Sequence, residues 1–356
     1  MKSNKILIIM NDLKNGGVER VLSVIANYLA AHEYDVHILT IAEDNVSYKL
    51  DPRIHYQHRQ LLQLYRNESL FSELKTIRAI YQEMKKTNPD CVIGFDDSII
   101  IRSIPSAWLQ RRRIVVSERI DPSIYGIAMR IVRQVAYDMA DAVVFQTPDA
   151  RDYFPKRTRK KSRVIPNPLK EGLPHRSEHI NKDIVMACRL RPQKNIHVAI
   201  EGFAKFHIDH QDYRLVVYGD GELKDKLIEY ASLLGVGESV LFPGRTDEIH
   251  KKMSEAAMYL SSSDYEGLSN SMIEALAIGT PTICTDCPVG GARMFIQDSV
   301  NGLLVPVRDA DAIAKSMRRI ADDKEYAKGL SRESIKIRDL LSTSAICPQW
   351  EELLRN

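Results

Sequence analysis

Short apolar runs alternate with longer amphipathic stretches along most of this chain of 356 residues. The apolar runs of the first half are rich in Val and Ile, which is typical of parallel strands covered on both faces. They lie at residues 6–10, 36–41, 91–95, 113–117 and 142–146. The stretches between them have the spacing of one apolar helical face, as at residues 18–29, 73–86 and 123–140. The alternation predicts an α/β fold built on a parallel sheet.

The alternation pauses at residues 166–182 and then resumes. The pause is rich in proline and polar residues, a composition typical of a linker. Beyond it, strands are predicted at residues 184–188, 215–218, 240–242, 258–260, 282–284 and 303–305, and helices at 195–209, 222–234, 247–256, 269–278 and 310–322. We therefore predict two Rossmann-like, doubly wound domains, residues 1–170 and 171–344, that face a cleft. Residues 345–356 are predicted to form a last helix, which can pack back on the first domain.

Composition and charge indicate a folded protein without a strong preference for nucleic acid. Hydrophobic residues make up 44% and charged residues 27% of the sequence, and the net charge is only +3. Two basic runs, residues 111–113 and 156–163, can meet anionic lipid or phosphate, or can lie in solvated loops. No signal peptide and no stretch of membrane-spanning length is evident, so we expect a cytoplasmic protein.

The cysteines and histidines do not form a recognisable metal or redox motif. Cys284 and Cys287 make a single C-x-x-C pair, and no second pair completes a zinc site. Reduced core thiols are the expected state of all five cysteines. The ten histidines show no metal-ligand spacing, and Asp309-Ala-Asp311 is better explained as a helix cap than as a metal-binding D-x-D motif. We expect no metal and no cofactor.

A glycine pair follows the first predicted strand and precedes the first helix. Gly16 and Gly17 let the backbone approach a ligand closely, and the N–H groups of a helix start can bind an anion, although a plain tight turn would also explain them. The G-x-G-x-x-G fingerprint of nicotinamide enzymes is incomplete, since Gly219-Asp-Gly221 carries Lys224 at the third glycine position. A nicotinamide oxidoreductase is therefore disfavoured.

Arg189 and Lys194 follow the first predicted strand of the second domain. A guanidinium fork and an ammonium at the carboxyl end of a strand can bind a diphosphate, although a solvated basic loop is the alternative.

Two glutamates flank the start of a later helix in the second domain. Glu266 lies in the loop after the strand at 258–260, and Glu274 lies one to two turns inside the helix that Ser269 is predicted to cap. The loop carboxylate can accept hydrogen bonds from sugar hydroxyls. The half-buried Glu274 needs hydroxyl or cation partners, such as a ribose diol. An ordinary cap with a surface glutamate is the alternative.

Together these segments resemble the retaining glycosyltransferases of group 1, the GT4 family, which have the GT-B fold. Glu266 and Glu274 match the E-x7-E pattern of that family. Further matching segments follow in the family order over residues 4–345: Gly16-Gly17-Val-Glu19-Arg20, Ile165-Pro-Asn167-Pro, Arg189-Leu with Lys194, Gly219-Asp-Gly221, Pro243-Gly244-Arg245 and Glu274-Ala-Leu-Ala-Ile-Gly279-Thr-Pro.

The resemblance implies a role for each matching residue. Arg189 and Lys194 would bind the donor diphosphate and stabilise it as leaving group, Glu266 would lie against the donor sugar, and Glu274 would bind the ribose. The other implied donor-binding positions are Gly16, Gly17, Gly219, Gly244, Arg245, Gly267, Leu268 and Ser269. The resemblance also implies a UDP-sugar donor, attack on the same face as the departing diphosphate, and no metal.

One departure from the family pattern concerns the acceptor. Many relatives carry a histidine after the fourth strand of the first domain, where this chain has Glu118 and Arg119. These two residues, with Glu19 and Arg20, are the acceptor-side candidates. The variants resemble those of enzymes that build bacterial surface polysaccharides and lipid-linked oligosaccharides, so the resemblance implies a glycan acceptor carried on a lipid.

An apolar stripe in the first domain is consistent with contact at the inner face of the cell membrane. Its members are Ile124, Ile127, Ile131 and Val135, with Arg130 and Arg133 alongside, and Trp108 and Leu109 before the basic run at 111–113. Such a surface can rest on anionic lipid. Helices that turn this stripe toward the core would explain the pattern equally well.

Two other functions stay open. A nucleotide-sugar epimerase or hydrolase would share the fold, but the E-x7-E arrangement favours transfer. A non-catalytic nucleotide-sugar-binding partner of another transferase would share the donor site, but the intact set of Glu266, Glu274, Arg189 and Lys194 weighs against it.

Overall fold

The computed structural model describes residues 4–14, 16–61 and 70–355, with the backbone alone for residues 70–72. The chain divides into two compact units. Unit 1 comprises Met1–Pro168 and Thr343–Asn356, and unit 2 comprises Leu169–Ser342.

Each unit contains one parallel sheet. The strands of unit 1 are β1 (Lys5–Met10), β2 (Asp35–Thr40), β3 (His55–His58), β4 (Cys91–Phe95), β5 (Arg113–Ser117), β6 (Ala142–Phe145) and β7 (Ser162–Val164). Those of unit 2 are β8 (Asp183–Ala187), β9 (Arg214–Tyr218), β10 (Val240–Gly244), β11 (Met258–Ser261), β12 (Thr282–Thr285) and β13 (Leu303–Val305). The strand orders are β3-β2-β1-β4-β5-β6-β7 and β10-β9-β8-β11-β12-β13.

Helices connect the strands. They are α1 (Gly17–Ala31), α2 (Leu70–Thr87), α3 (Asp97–Leu109), α4 (Ile127–Met139), α5 (Pro148–Asp152), α6 (Lys156–Lys160), α7 (Ile196–His207), α8 (Lys224–Leu233), α9 (Ile249–Glu255), α10 (Asn270–Ile278), α11 (Ala310–Asp322), α12 (Lys324–Ser334), α13 (Ile337–Leu340) and α14 (Thr343–Arg355).

Both sheets reverse their strand order at one point, between β1 and β4 in unit 1 and between β8 and β11 in unit 2. Such switch points leave a crevice at the carboxyl ends of the strands, where doubly wound proteins bind ligands. The predicted fold class is confirmed by these two parallel α/β sheets.

The predicted strands are found within one or two residues of their expected ends, but β3 and β7 were not predicted. Both lie at a sheet edge, and their residues are exposed or half-buried. The helix predicted at residues 123–140 begins later, because a 3₁₀ turn at Pro122–Ile124 is separated from α4 by Tyr125 and Gly126. Side-chain capping of α10 by Ser269 and of α11 by Asp309 is confirmed.

The last helix, α14, packs in unit 1. Trp350 is fully buried and stacks on Phe95 at the end of β4, with ring centroids 5.4 Å apart. The Arg113 guanidinium at the start of β5 donates to the Leu353 carbonyl at 3.0 Å. Burial of a tryptophan of this size fastens the C-terminal helix to the sheet of unit 1.

Candidate functional site

The switch point of unit 2 carries an ion pair between the predicted cation and the predicted carboxylate. Lys194 ends a 3₁₀ turn that follows β8, and Glu266 lies in the loop that follows β11. The Lys194 ammonium donates directly to the Glu266 carboxylate, and the two side chains are 18% and 22% exposed. Ser263 donates a further hydrogen bond to the same carboxylate, with 3.3 Å between oxygens. The strand order brings these residues together at a place where solvent and ligands can reach them.

Hydrogen bonds hold the loop after β8 against the loop after β11. The Asp264 amide donates to the Gln193 carbonyl at 2.9 Å, and the Asn195 side chain donates to the Asp264 carboxylate at 2.8 Å. The Ser262 hydroxyl donates to the Lys194 carbonyl at 2.8 Å. Lys194 is therefore fixed by backbone contacts on both sides, so its ammonium can change partner without rearrangement of the loop.

Electrostatics keep Lys194 charged and the neighbouring thiols neutral. Burial alone would lower the pKa of Lys194, but the charge and hydrogen bond of Glu266 outweigh it and the pKa is raised. Burial raises the pKa of Cys188 to about 11 and that of Cys287 to about 12. Both thiols therefore stay protonated at neutral pH.

Arg189 is the second residue after β8, and its side chain is exposed. Within the part of the chain that the structure describes, no carboxylate pairs with its guanidinium. The loop that carries it is shaped by Gly219, whose φ of +138° and position allow no side chain, because a Cβ there would lie 1.8 Å from the Cys188 carbonyl oxygen. The Leu190 amide donates to the Asp220 carbonyl at 3.0 Å. Gly219 thus positions the loop that carries Arg189. The contacts of Gly219 and Arg189 with a donor stay predictions.

Two further predicted segments lie at the same edge of the unit 2 sheet. Gly244 ends β10, and its carbonyl accepts from the Gly219 amide at 2.9 Å, while Arg245 is exposed beyond it. Gly267 and Leu268 are buried at the approach to α10, and Ser269 is half-buried as the cap of that helix.

Glu274 has a partner that was not predicted. It is 6% exposed, as its apolar flanks indicated, and its carboxylate lies 3.0 Å from Nε2 of His250 on α9. His250 comes five residues after Arg245, in a loop-to-helix segment without any motif of its own. Only the packing of α9 against α10 brings the imidazole to the carboxylate.

The glycine pair of unit 1 lies at the start of α1, after β1. Gly16 is the residue that caps α1, and the Tyr48 hydroxyl accepts from its amide at 3.0 Å and donates to its carbonyl at 2.7 Å. Gly17 is exposed, and Glu19 is half-buried. Arg20 is 8% exposed, and burial lowers its pKa to about 10.

The switch point of unit 1 carries polar residues that sequence reasoning missed. Asp96 follows β4, has a φ of 77°, and caps α3 by accepting from the Ser98 amide at 3.1 Å. The side-chain amide of Asn11, after β1, donates to the Asp96 carboxylate at 3.2 Å. The position of Asp96 directly after a buried apolar run was the available signal, but the pairing with Asn11 depends on the strand order.

Glu118 is not placed for direct contact with an acceptor, which corrects its assignment. It is 2% exposed. Its carboxylate accepts from the Arg133 guanidinium and, at 2.8 Å, from the Tyr137 hydroxyl, while the Arg119 amide donates to its other oxygen at 3.1 Å. Arg133 also donates to Asp97 at 3.0 Å. These contacts saturate Glu118 within the core of unit 1, so its role is structural.

Arg119 also points inward. Its guanidinium lies over the Phe95 ring at 4.4 Å from the centroid, and Trp350 lies 5.6 Å away. It donates to the Asn167 side chain at 2.8 Å. Burial lowers its pKa to about 9. Arg119 is therefore held against aromatic side chains of its own unit, and its contact with an acceptor stays a prediction.

The apolar stripe of α4 faces solvent, so the interpretation that turns it toward the core is wrong. Ile127 is 76% exposed and Ile131 is 60% exposed. The remaining apolar side chains of this surface are Ile124, Met129, Val132, Val135 and Met139, and Trp108 and Leu109 at the end of α3 are also exposed. Arg130 is exposed, but Arg133 is 1% exposed and pairs inward, which corrects its place beside the stripe.

None of the described helices is both long enough and apolar enough to cross a bilayer.

Two sequence models of glycosyltransferase families match the two halves of this chain. The sequence model described as "Glycosyl transferases group 1" matches residues 174–337, and that of "Glycosyltransferase Family 4" matches residues 15–171. A Campylobacter jejuni GalNAc-alpha-(1->4)-GalNAc-alpha-(1->3)-diNAcBac-PP-undecaprenol alpha-1,4-N-acetyl-D-galactosaminyltransferase is 26% identical over 98% of each chain. A Streptomyces coelicolor exopolysaccharide phosphotransferase is 32% identical, but the match spans 53% of this chain and only 20% of that protein.

The fold is shared with solved structures. The structure of Anabaena Alr3699/HepE in complex with UDP and glucose superposes with a TM-score of 0.84 over 99% of both chains, at 18% identity. A likeness at this identity supports the fold alone. With the two sequence matches, which cover the donor segments and the glycine loop in order, it establishes that the chain belongs to the group 1 (GT4) glycosyltransferase family and has the GT-B fold.

Proposed function

We propose that this protein is a retaining glycosyltransferase that moves a sugar from a UDP-sugar to a lipid-linked glycan in the synthesis of a bacterial surface polysaccharide. The observation that carries the proposal is the partly exposed Lys194–Glu266 pair at the switch point of unit 2, with the exposed Arg189 on the same loop. A fixed cation beside a second, unpaired cation is suited to the two charges of a diphosphate.

In the proposed reaction the donor diphosphate binds the Lys194 ammonium in place of the Glu266 carboxylate. Glu266 is then released from its ion pair and can accept hydrogen bonds from the sugar hydroxyls. The bond between the sugar C1 and the diphosphate oxygen breaks, the acceptor oxygen bonds to C1 on the same face, and the acceptor proton passes to the departing diphosphate. Lys194 and Arg189 stabilise the growing negative charge, which is the electrostatic contribution that most lowers such barriers. No metal takes part in this scheme.

The Glu274–His250 pair is assigned to the ribose. A carboxylate that is 6% exposed and already oriented by an imidazole can accept hydrogen bonds from a diol at low entropic cost. Gly244 and Arg245, at the end of β10, are assigned to the neighbourhood of the base.

The acceptor is assigned to unit 1. Glu19 lies in α1, which follows β1, and Asn11 and Asp96 lie at the switch point of that sheet. Carboxylate and amide groups suit the hydroxyls of a glycan better than a second anion. The relative from Campylobacter, whose name specifies an undecaprenol-diphosphate-linked glycan, supports a lipid-linked acceptor.

The test is turnover with a panel of UDP-sugars and undecaprenyl-diphosphate-linked glycans. We expect UDP release that requires both substrates, a product whose new glycosidic bond keeps the anomeric configuration of the donor by NMR, and unchanged rates after chelation of metal ions. UDP release without acceptor would support hydrolysis, and an altered sugar still on the nucleotide would support an epimerase. A product of inverted configuration, or rates abolished by chelation and restored by metal, would contradict the scheme.

The exposed surface of α4 is proposed to contact the membrane that carries such an acceptor. The helix presents apolar side chains along its solvent face, and Arg130 lies among them. Apolar side chains with interspersed arginine suit the boundary between headgroups and acyl chains of an anionic bilayer. Large exposed apolar surfaces of this kind mark interaction sites.

Flotation with vesicles of anionic lipid at low salt tests this contact. Wild type should float with the vesicles, and the double variant Ile127→Asp/Ile131→Asp should stay at the bottom of the gradient. The matched control is Ile208→Asp, since Ile208 is 71% exposed in unit 2. Absence of lipid association in wild type, or equal flotation of the α4 variant, would overturn the membrane contact and leave the transferase proposal untouched.

A further inference from the structure

Two histidines and an aspartate meet at the amino ends of neighbouring strands in unit 1. Asp35 and His37 lie two residues apart on β2 and therefore share a face of the sheet. His55 opens β3 and lies directly opposite His37 in the register of the two strands. The cluster is at the opposite end of the sheet from the glycine loop, which follows the carboxyl end of β1. Within the described residues, no other three residues among His, Cys, Asp and Glu come this close.

One nitrogen of each histidine lies close to the same oxygen of the aspartate. Nε2 of His37 lies 2.9 Å from Oδ1 of Asp35, and Nε2 of His55 lies 3.5 Å from the same oxygen. The two imidazole rings stack with centroids 4.5 Å apart. A tetrahedral ion with ligand bonds of about 2.0–2.1 Å places its ligand atoms roughly 3.3 Å apart. The two histidine–carboxylate separations match that spacing within a few tenths of an ångström, and the three ligand atoms all lie within 4.8 Å of one another.

The second oxygen of the aspartate is already engaged. Lys5 on β1 pairs in register with Asp35 on β2, and its ammonium lies 3.3 Å from Oδ2 of Asp35. This contact orients the carboxylate and leaves Oδ1 directed at the two rings, in the way that outer groups orient ligands in metal sites. The nearby positive charge also weakens the attraction of a dication, so a site of moderate affinity is expected.

From this geometry we infer that Asp35, His37 and His55 bind a zinc-class divalent ion, with solvent in the remaining coordination position. Two imidazoles and one carboxylate suit Zn²⁺ and Co²⁺ and are poor ligands for Mg²⁺, which prefers oxygen. The His55 side chain is 66% exposed, so an ion can enter from solvent. The ion would fasten the edge strand β3 to β2 and has no part in sugar transfer. The ligands lie on two strands, which is why their sequence spacing matches no metal motif.

Titration of the metal-free, full-length protein with Zn²⁺ by calorimetry and with Co²⁺ by visible absorption tests the site. We expect one ion bound per chain with moderate affinity, a cobalt spectrum typical of four-coordination, and a Tm that rises with Zn²⁺. His55→Ala and His37→Ala should each weaken binding at least tenfold and abolish the rise in Tm. The matched control, His179→Ala, removes an exposed histidine of unit 2 and should bind as wild type does.

The variants also separate this inference from the proposed transfer reaction. His55→Ala should leave UDP binding and turnover unchanged, because His55 opens the edge strand β3, which is two strands away from β1 at the switch point of its own sheet. Absence of Zn²⁺ and Co²⁺ binding in wild type would overturn the inference. Binding that persists in the His37→Ala/His55→Ala double variant would place the ion elsewhere and overturn it as well. Circular dichroism of each variant checks that the fold is retained.

Discussion

Each unit places an ion pair just beyond its strands, but the two pairs differ in their access to water. In unit 1, Glu118 follows β5 and pairs with Arg133, and the side chains are 2% and 1% exposed. In unit 2, Lys194 follows β8 and pairs with Glu266, and the side chains are 18% and 22% exposed. The first pair has further partners in Tyr137 and Asp97, whereas the second is flanked by the exposed Arg189.

The difference separates a structural ion pair from one that can exchange partners. A buried charge without its partner is costly, so the Glu118–Arg133 pair is fixed by the core around it. Replacement of one partner by a ligand costs less free energy in a partly hydrated pair, because water and the ligand both solvate the charge that is left. Ion pairs that form just after the strands therefore serve stability in one unit and, in our proposal, chemistry in the other.

The largest expected effect is on the buried pair. Glu118→Ala should lower the free energy of unfolding by about 3–5 kcal/mol, because Arg133 is left with an incompletely compensated charge in the core. Chemical denaturation monitored by circular dichroism measures the change. The matched control is Glu352→Ala, whose exposed pair with Arg163 should contribute less than about 1 kcal/mol. A loss for Glu118→Ala no larger than that of the control would contradict the structural assignment.

The next effect is on catalysis. Lys194→Ala should reduce kcat about 10²–10³-fold, because one group that stabilises the leaving diphosphate is lost. The midpoint of thermal unfolding should change little, since the pair is partly exposed. Lys205→Ala, which breaks an exposed pair with Asp311 in the same unit, should keep wild-type turnover. Steady-state kinetics on the folded variants would contradict the assignment if Lys194→Ala turned over like this control.

A smaller effect on nucleotide affinity should distinguish binding of the ribose from binding of the diphosphate. Wild type should bind 2′-deoxy-UDP about tenfold more weakly than UDP, because a hydrogen bond to the charged Glu274 is lost. In Glu274→Ala that discrimination should disappear, and in His250→Ala it should shrink, since the imidazole orients the carboxylate. Calorimetry with both nucleotides measures the ratio. Equal discrimination in all three proteins would remove Glu274 from the ribose site.

The smallest effect concerns the thiol of Cys188, which is close to the Lys194–Glu266 pair. The pKa of Cys188 is raised to about 11 from its ordinary value of 9.0, so less thiolate is present at any pH below that value. Alkylation at pH 8 should be roughly a hundredfold slower than for a free thiol and should rise steadily up to pH 9.5. Mass spectrometry of the modified peptide gives the rate. Rapid alkylation that levels off below pH 9 would show that the thiol is less buried than its surroundings indicate.

The central strands of both units were predictable because their apolar runs are buried on both faces. β3 and β7 were missed because edge strands need apolar side chains on fewer positions, as the polar sequence His55–His58 illustrates. The break before α4 was missed because Gly126 is tolerated within an apolar helical pattern.

Residue types at the site were also predictable, but their partners were not. Lys194 and Glu266 meet only because β8 and β11 are neighbours in the sheet, and no spacing in the sequence reports that order. His250 reaches Glu274 through helix packing. Glu118 was misjudged for the same reason, because Arg133 and Tyr137 come from a separate helix that closes over it.

The central claim is that the Lys194–Glu266 pair and Arg189 bind a nucleoside diphosphate. Thermal unfolding of wild type and Arg189→Ala against a panel of nucleoside diphosphates and nucleotide sugars tests it most directly. A ligand present at 100 times its Kd adds about 2.7 kcal/mol to stability, which is readily measured. The account predicts a clear rise in Tm with one nucleoside diphosphate, UDP, and a much smaller rise at the same concentration in Arg189→Ala. No rise with any nucleotide, or equal rises in the two proteins, would contradict it.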